Sequence, residues 1–192
     1  MKGKAAKHER KRMPKSKSRE AMNERLVAIM WFLLKFNILA LPMYLLIYMN
    51  ISMPLLQALV ANAVHVLLGL LGYSSVVEGY TLKFSAGASI VAAEMTFDCI
   101  GWKSMYALLA LAIATPRIEW KKKLKFLAIG LPSIFAINII RIATTVAVVI
   151  NLGISYLEFV HSILWQEGLI IAVATIWYLW LRRYMTAVRN KF

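Results

Sequence analysis

The sequence contains one cysteine, Cys99, in 192 residues, so no intramolecular disulfide is possible. It also lacks charge over long stretches: residues 26–49 carry only Lys35, and residues 126–150 only Arg141. A soluble core helix shows a polar face with a 3.6-residue period, and these runs do not. Each is long enough to cross a hydrocarbon core, which takes roughly 20 apolar helical residues. No small-x-small cleavage site follows the first run, and the run is too long for the apolar region of a signal peptide. It therefore reads as an uncleaved first span. No internal repeat or low-complexity segment is evident, which weighs against a transporter built from inverted repeats.

What the sequence has in abundance is apolar surface and positive charge. Hydrophobic residues make up 60% of the chain and the mean hydropathy is +0.64, against about 45–50% apolar for a soluble domain. The net charge is +14, which by itself would suit nucleic-acid binding. Its distribution argues otherwise. Ten Lys/Arg lie in residues 1–25, five in 117–125 and four in 182–191, together nineteen of twenty-three. Residues 50–98 and 151–160 hold only Lys83. This is the positive-inside asymmetry of a membrane protein, and it requires no nucleic acid.

These patterns predict an all-α integral membrane protein, a polytopic helical bundle with a short exterior β-hairpin. Residues 1–25 form a basic cytoplasmic tail and 26–192 a multi-span membrane domain, with spans at about 26–49, 100–115, 126–150 and 159–181. Pro42 is expected to kink the first span. With both the N-terminus and the 116–125 turn cytoplasmic, parity leaves no simple crossing for 54–71. Its polar residues Gln57, Asn62, His65 and Gly69 suit an interfacial or re-entrant helix. The alternative is a true crossing with a return through 85–95. Residues 73–95 read as extended, because Tyr80, Leu82 and Phe84 alternate with Thr81 and Lys83, and Ser85-Ala86-Gly87 can turn the chain into a second strand near 88–93. The protein is thus placed in the plasma membrane, with both termini cytoplasmic.

Three polar residues stand out at one expected depth, the outer half of the membrane: Cys99 at the start of the third span, His161 at the start of the last, and Arg141 roughly 13 Å in from the outer end of its span. A lone cysteine can be a small buried apolar residue, and an interfacial histidine a structural hydrogen-bonder. At a helix N-terminus with Lys103 four residues on, however, a thiol is biased toward thiolate. An intramembrane arginine is costly and by default functional, snorkelling to headgroups being its alternative. Asn138 and Thr145 share the Arg141 face. Thiol, imidazole and cation suit acyl transfer: nucleophile, proton shuttle and oxyanion stabiliser.

The blocks around these residues resemble the exosortase/archaeosortase family of membrane cysteine transpeptidases. Cys99-Ile100-Gly101-Trp102-Lys103-Ser104 is similar to the family's Cys-small-Gly-x-basic-Ser block. Asn138-Ile139-Ile140-Arg141 is similar to its Asn-x-x-Arg, and His161 opens the last span. Leu71-Gly72 and the run from Glu78-Gly79-Tyr80 to Glu94 add to the likeness, which covers about 55–178. Ile100 stands where the family usually has Ser or Thr. The resemblance implies Cys99, Arg141 and His161 as catalytic residues, with Asn138, Lys103, Gly101 and Ser104 supporting, and no metal or cofactor. It implies exported substrate proteins with a C-terminal tripartite sorting signal (motif, apolar helix, basic end), and transfer through a thioester to an amine, on a lipid headgroup, at a site facing the exterior. Plain hydrolysis differs only in the acceptor. The non-enzymatic alternative is a transporter subunit or assembly factor, with Arg141 lining a polar cavity.

Overall fold

The computed structural model describes residues 15–49, 51–87, 89–156 and 168–189. Among these residues, five α-helices and a small sheet occur in the order α1 (Lys15–Tyr48), α2 (Pro54–Leu70), β1 (Ser75–Glu78), β2 (Thr81–Ala86), β3 (Ser89–Glu94), α3 (Trp102–Ala114), α4 (Trp120–Leu152) and α5 (Leu169–Arg189). A short 3-10 turn, Phe97–Ile100, joins the sheet to α3. The segment 1–25 is not all tail, since helix α1 reaches back to Lys15 and runs on through Pro42. Likewise the basic stretch 117–125 is only partly a loop: Trp120 opens α4, and the lysines lie in its first turns.

Two helical stretches, Met22–Tyr48 and Trp120–Leu152, are long and apolar enough to cross a membrane. In the first, Phe32 stacks on Trp177 and the Leu39 carbonyl accepts from Tyr106, while the outward arc is apolar: Met30, Trp31, Leu41 and Tyr44 are each more than half exposed. In water such a helix would expose a broad apolar face. In lipid that surface is solvated and the helix has no backbone donor or acceptor to lose.

Helix α4 is the axis of the fold. Its C-terminal half (Ile139, Ile142, Ala143, Val146, Val149) packs with Val60, Val64 and Leu68 of α2 and with Leu82 and Phe84 of β2. Its N-terminal half (Phe126, Leu127, Ile134) packs with Leu108 and Ala112 of α3 and Leu169 and Val173 of α5. Helices α3 and α4 run antiparallel and touch at three levels. Gly101 abuts Asn138, and Gly130 sits against Leu108, where an added Cβ would come within 2.8 Å of Cδ2. At the far end Lys123 donates from Nζ to the carbonyls of Ile113 and Thr115, both at 2.7 Å. That ammonium satisfies carbonyls that the last turn of α3 leaves without intrahelical donors.

The extended reading of 73–95 holds, with one strand more than a hairpin. β1, β2 and β3 form an antiparallel meander, Val77 opposite Leu82 and Phe84 opposite Val91. Leu82 and Phe84 point inward, as their alternation requires. Helix α2 departs from expectation in its polar residues, which do not share one face. At 100° per residue Gln57 falls between Val64 and Leu68, in the middle of the arc that is buried; it is 5% exposed, while Asn62 and Gly69 face outward. The outward face is also apolar, with Leu55, Leu59, Val66 and Leu70 exposed. Inside, Gln57 Nε2 donates to the Met95 carbonyl at 2.8 Å, and its Oε1 accepts from Ser52 at 3.0 Å.

Candidate active site

Cys99 does not sit on the first turn of a helix. It lies in the 3-10 turn, and Gly101, left-handed at φ 77°, separates that turn from α3. The turn is tied down from several directions. Asp98 accepts from Lys103 Nζ at 2.9 Å and from Trp102 Nε1 at 3.3 Å. The rings of Phe97 and Trp102 stack at 5.2 Å. The Gln57 bond to Met95 steadies the chain entering the turn. Lys103 is therefore committed to Asp98 rather than to the sulfur. Ser104 lies in the first turn of α3, its amide donating to the Gly101 carbonyl at 3.1 Å.

Asn138 reaches the turn from α4. It is fully buried, and its Nδ2 donates to the Cys99 carbonyl at 2.7 Å across 39 residues of sequence. The fit is close enough that a Cβ on Gly101 would lie 2.9 Å from Asn138 Cγ. Glycine is thus required there twice, by backbone conformation and by the space Asn138 fills. The other amide atom, Asn138 Oδ1, is buried with no hydrogen-bond partner among the described residues. One turn further along α4, the buried Arg141 lies within electrostatic reach of Cys99. Thr145 donates to the Arg141 carbonyl at 3.0 Å and so serves its own helix.

Thr96 was not picked out by its sequence context. Its hydroxyl lies 3.4 Å from Cys99 Sγ, within the range of a hydrogen bond to sulfur, and supplies on the near side of the turn a hydroxyl that Ile100 does not. A threonine three residues before a cysteine carries no signal until the 3-10 turn brings the two together. Cys99 is half-buried. His161, and the start of the 159–181 span, lie outside the described residues. Among the described residues no group of three or more His, Cys, Asp or Glu side chains could hold a metal ion.

The structure therefore brings together Cys99, Asn138, Arg141 and Gly101, adds Thr96 and Asp98, and leaves Lys103 and Ser104 at the rim. A half-buried cysteine, a buried guanidinium within its electrostatic reach and a backbone carbonyl fixed from a second helix thus meet at one turn. The sequence model of the family described as transmembrane exosortase matches residues 21–181. No match to the chain is found among curated proteins or solved structures.

Proposed function

The chain belongs to the transmembrane exosortase family, and from that premise we propose that it is a multi-pass cysteine transpeptidase that removes a C-terminal sorting signal from exported proteins and transfers them to an amine. Family membership carries the general activity, membrane-embedded transpeptidation. The observation that carries the assignment to Cys99 is the Asn138 amide bonded to the Cys99 carbonyl, with Arg141 one turn along the same helix.

In this mechanism the Cys99 thiolate attacks the carbonyl carbon of the peptide bond beside the sorting motif. The tetrahedral oxyanion is stabilised by Arg141, whose buried position makes a fixed charge far more effective than in water. The intermediate collapses as the C–N bond breaks, the leaving amine takes a proton from His161, and a thioester remains on Cys99. An acceptor amine, on a lipid headgroup, gives its proton to His161 and attacks the thioester, and the thiolate leaves. The Thr96 hydroxyl donates to the sulfur while it is anionic. The basic end of the signal stays at the cytoplasmic face and its cleavage point lies toward the exterior, on the side of Cys99.

In cells expressing the chain, exported proteins ending in motif, apolar helix and basic tail should lose that tail, and a hydroxylamine-labile adduct should form on Cys99. Cys99→Ala should abolish both while the protein still accumulates in membranes. An impermeant thiol reagent applied outside should label Cys99 but not a cysteine placed at Lys122. Normal processing by Cys99→Ala would remove the transpeptidase reading.

A further inference from the structure

At the basic end of the bundle, away from Cys99, α4 and α5 part to form an open groove of about 580 Å3, within the size of a ligand pocket. Its rim carries Lys122, Lys125 and Arg183, with Tyr184 beside them. Its floor is apolar: Phe126, Ile129, Ile176, Leu179 and Trp180. The two chemistries are ordered along the helices. On α4 the cation Lys125 is followed one turn deeper by Ile129, and on α5 Arg183 is followed one turn deeper by Leu179. The floor is firm, since Trp180 stacks on Phe126 with centroids 4.2 Å apart. Glu119 holds Lys122 at 3.0 Å, and Lys122 also lies over the Tyr184 ring. Lys125 and Arg183 make no salt bridge to a carboxylate among the described residues.

We propose that this groove binds one anionic phospholipid, its phosphate held by Lys125 and Arg183 and an acyl chain lying along Ile129 and Leu179. Charge complementarity selects this occupant. Basic clefts between membrane helices recruit anionic headgroups, each cation near the surface contributing appreciably. A zwitterionic lipid would leave the positive rim uncompensated, and a segment rich in Lys or Arg would be repelled by it. A free phosphate could meet the cations but would leave the apolar floor empty. The inference goes beyond the transpeptidase reading and does not depend on the chemistry at Cys99.

The test is native mass spectrometry of the full chain released from nanodiscs containing phosphatidylglycerol and phosphatidylcholine in equal amounts. One phosphatidylglycerol should remain bound in preference to phosphatidylcholine. Lys125→Gln and Arg183→Gln should each weaken retention about fivefold, and the double variant about 25-fold. Lys83→Gln, which removes an equal charge at the sheet, should have no effect. Ile129→Trp adds bulk at a position already 73% exposed and alters no charge; it should also displace the lipid. Equal retention of the two lipids would overturn the proposal. Undiminished retention by the double variant or by Ile129→Trp would do so as well, as would displacement of the lipid by millimolar inorganic phosphate.

Discussion

Gly101→Ala isolates how the turn carrying Cys99 is held. Two costs arise at this position and can be separated. Placing an L-residue in the left-handed region costs about 1–2 kcal/mol. The new Cβ would also lie 2.9 Å from Asn138 Cγ, 3.1 Å from Oδ1 and 3.2 Å from Nδ2, and overpacking of this kind typically costs about 1–3 kcal/mol. The sum, about 2–5 kcal/mol, is borne by a side chain that cannot swing away freely, because Asn138 is fully buried and bonded to the Cys99 carbonyl. Gly79→Ala provides the reference: φ is 64° and nothing lies within 4 Å of the added Cβ, so only the backbone cost of about 1–2 kcal/mol applies.

The assay is unfolding in mixed micelles together with the rate of Cys99 alkylation. Gly101→Ala should be the more destabilised of the two and should alter the alkylation rate, whereas Gly79→Ala should leave that rate unchanged. A double-mutant cycle sharpens the test. In the Gly101→Ala background, Asn138→Ala removes the clash as well as the hydrogen bond, so its cost should shrink or change sign relative to wild type. If the two glycine variants unfold alike and Asn138→Ala costs the same in both backgrounds, the contact between Gly101 and Asn138 does not position Cys99.

The other predictions concern single side chains. Thr96→Val removes the hydroxyl 3.4 Å from the sulfur while keeping its shape, and should slow alkylation of Cys99 several-fold without changing stability. Lys123→Met should cost about 3–6 kcal/mol in unfolding measurements, because it removes two charge-assisted bonds to the carbonyls of Ile113 and Thr115, each worth about 1.5–3 kcal/mol. Arg141→Lys should retain insertion but lose most processing activity, since an ammonium cannot reproduce the guanidinium fork; near-normal turnover would remove Arg141 from the oxyanion role.

The sequence exposed some of these features and concealed others for identifiable reasons. The apolar runs around Lys35 and Arg141 announced the two long helices because nothing in them offers water a polar face. Leu82 and Phe84 announced a strand through their period of two. Strand β1 was missed because Ser75-Val76-Val77-Glu78 is too short to show a period. Gln57 was grouped with the outward polar residues because the four chosen positions spread over an arc of about 140°, too wide to fix which edge is buried. Asn138 was legible as a polar neighbour on the face of Arg141, but its partner, a backbone carbonyl 39 residues away, has no sequence signature. The Lys103–Asp98 pair was hidden differently: reading Cys99 and Lys103 as one helix put the cation beside the thiol. The left-handed Gly101 breaks that helix and turns Lys103 toward Asp98.

The three contacts between α3 and α4 also bear on depth. Helix α3 has 13 residues, about 20 Å at 1.5 Å per residue, less than the roughly 30 Å of a hydrocarbon core. Its C-terminal end is fixed to Lys123, within the basic stretch, and its N-terminal end to Asn138. Fifteen residues of α4 lie between those two anchors, about 22 Å of helix, so the lengths match and the clamp carries no slack. Gly130 allows the pair to approach at the midpoint, where Leu108 occupies the space a side chain would need. In the proposed membrane orientation, a turn held at that height stands part-way across the bilayer from the basic side. A peptide bond could meet it there at the end of an apolar helix without that helix leaving the lipid. The shortness of α3 sets Cys99 beside Asn138, one turn of α4 before Arg141, and α4 fixes that level because it carries both anchors.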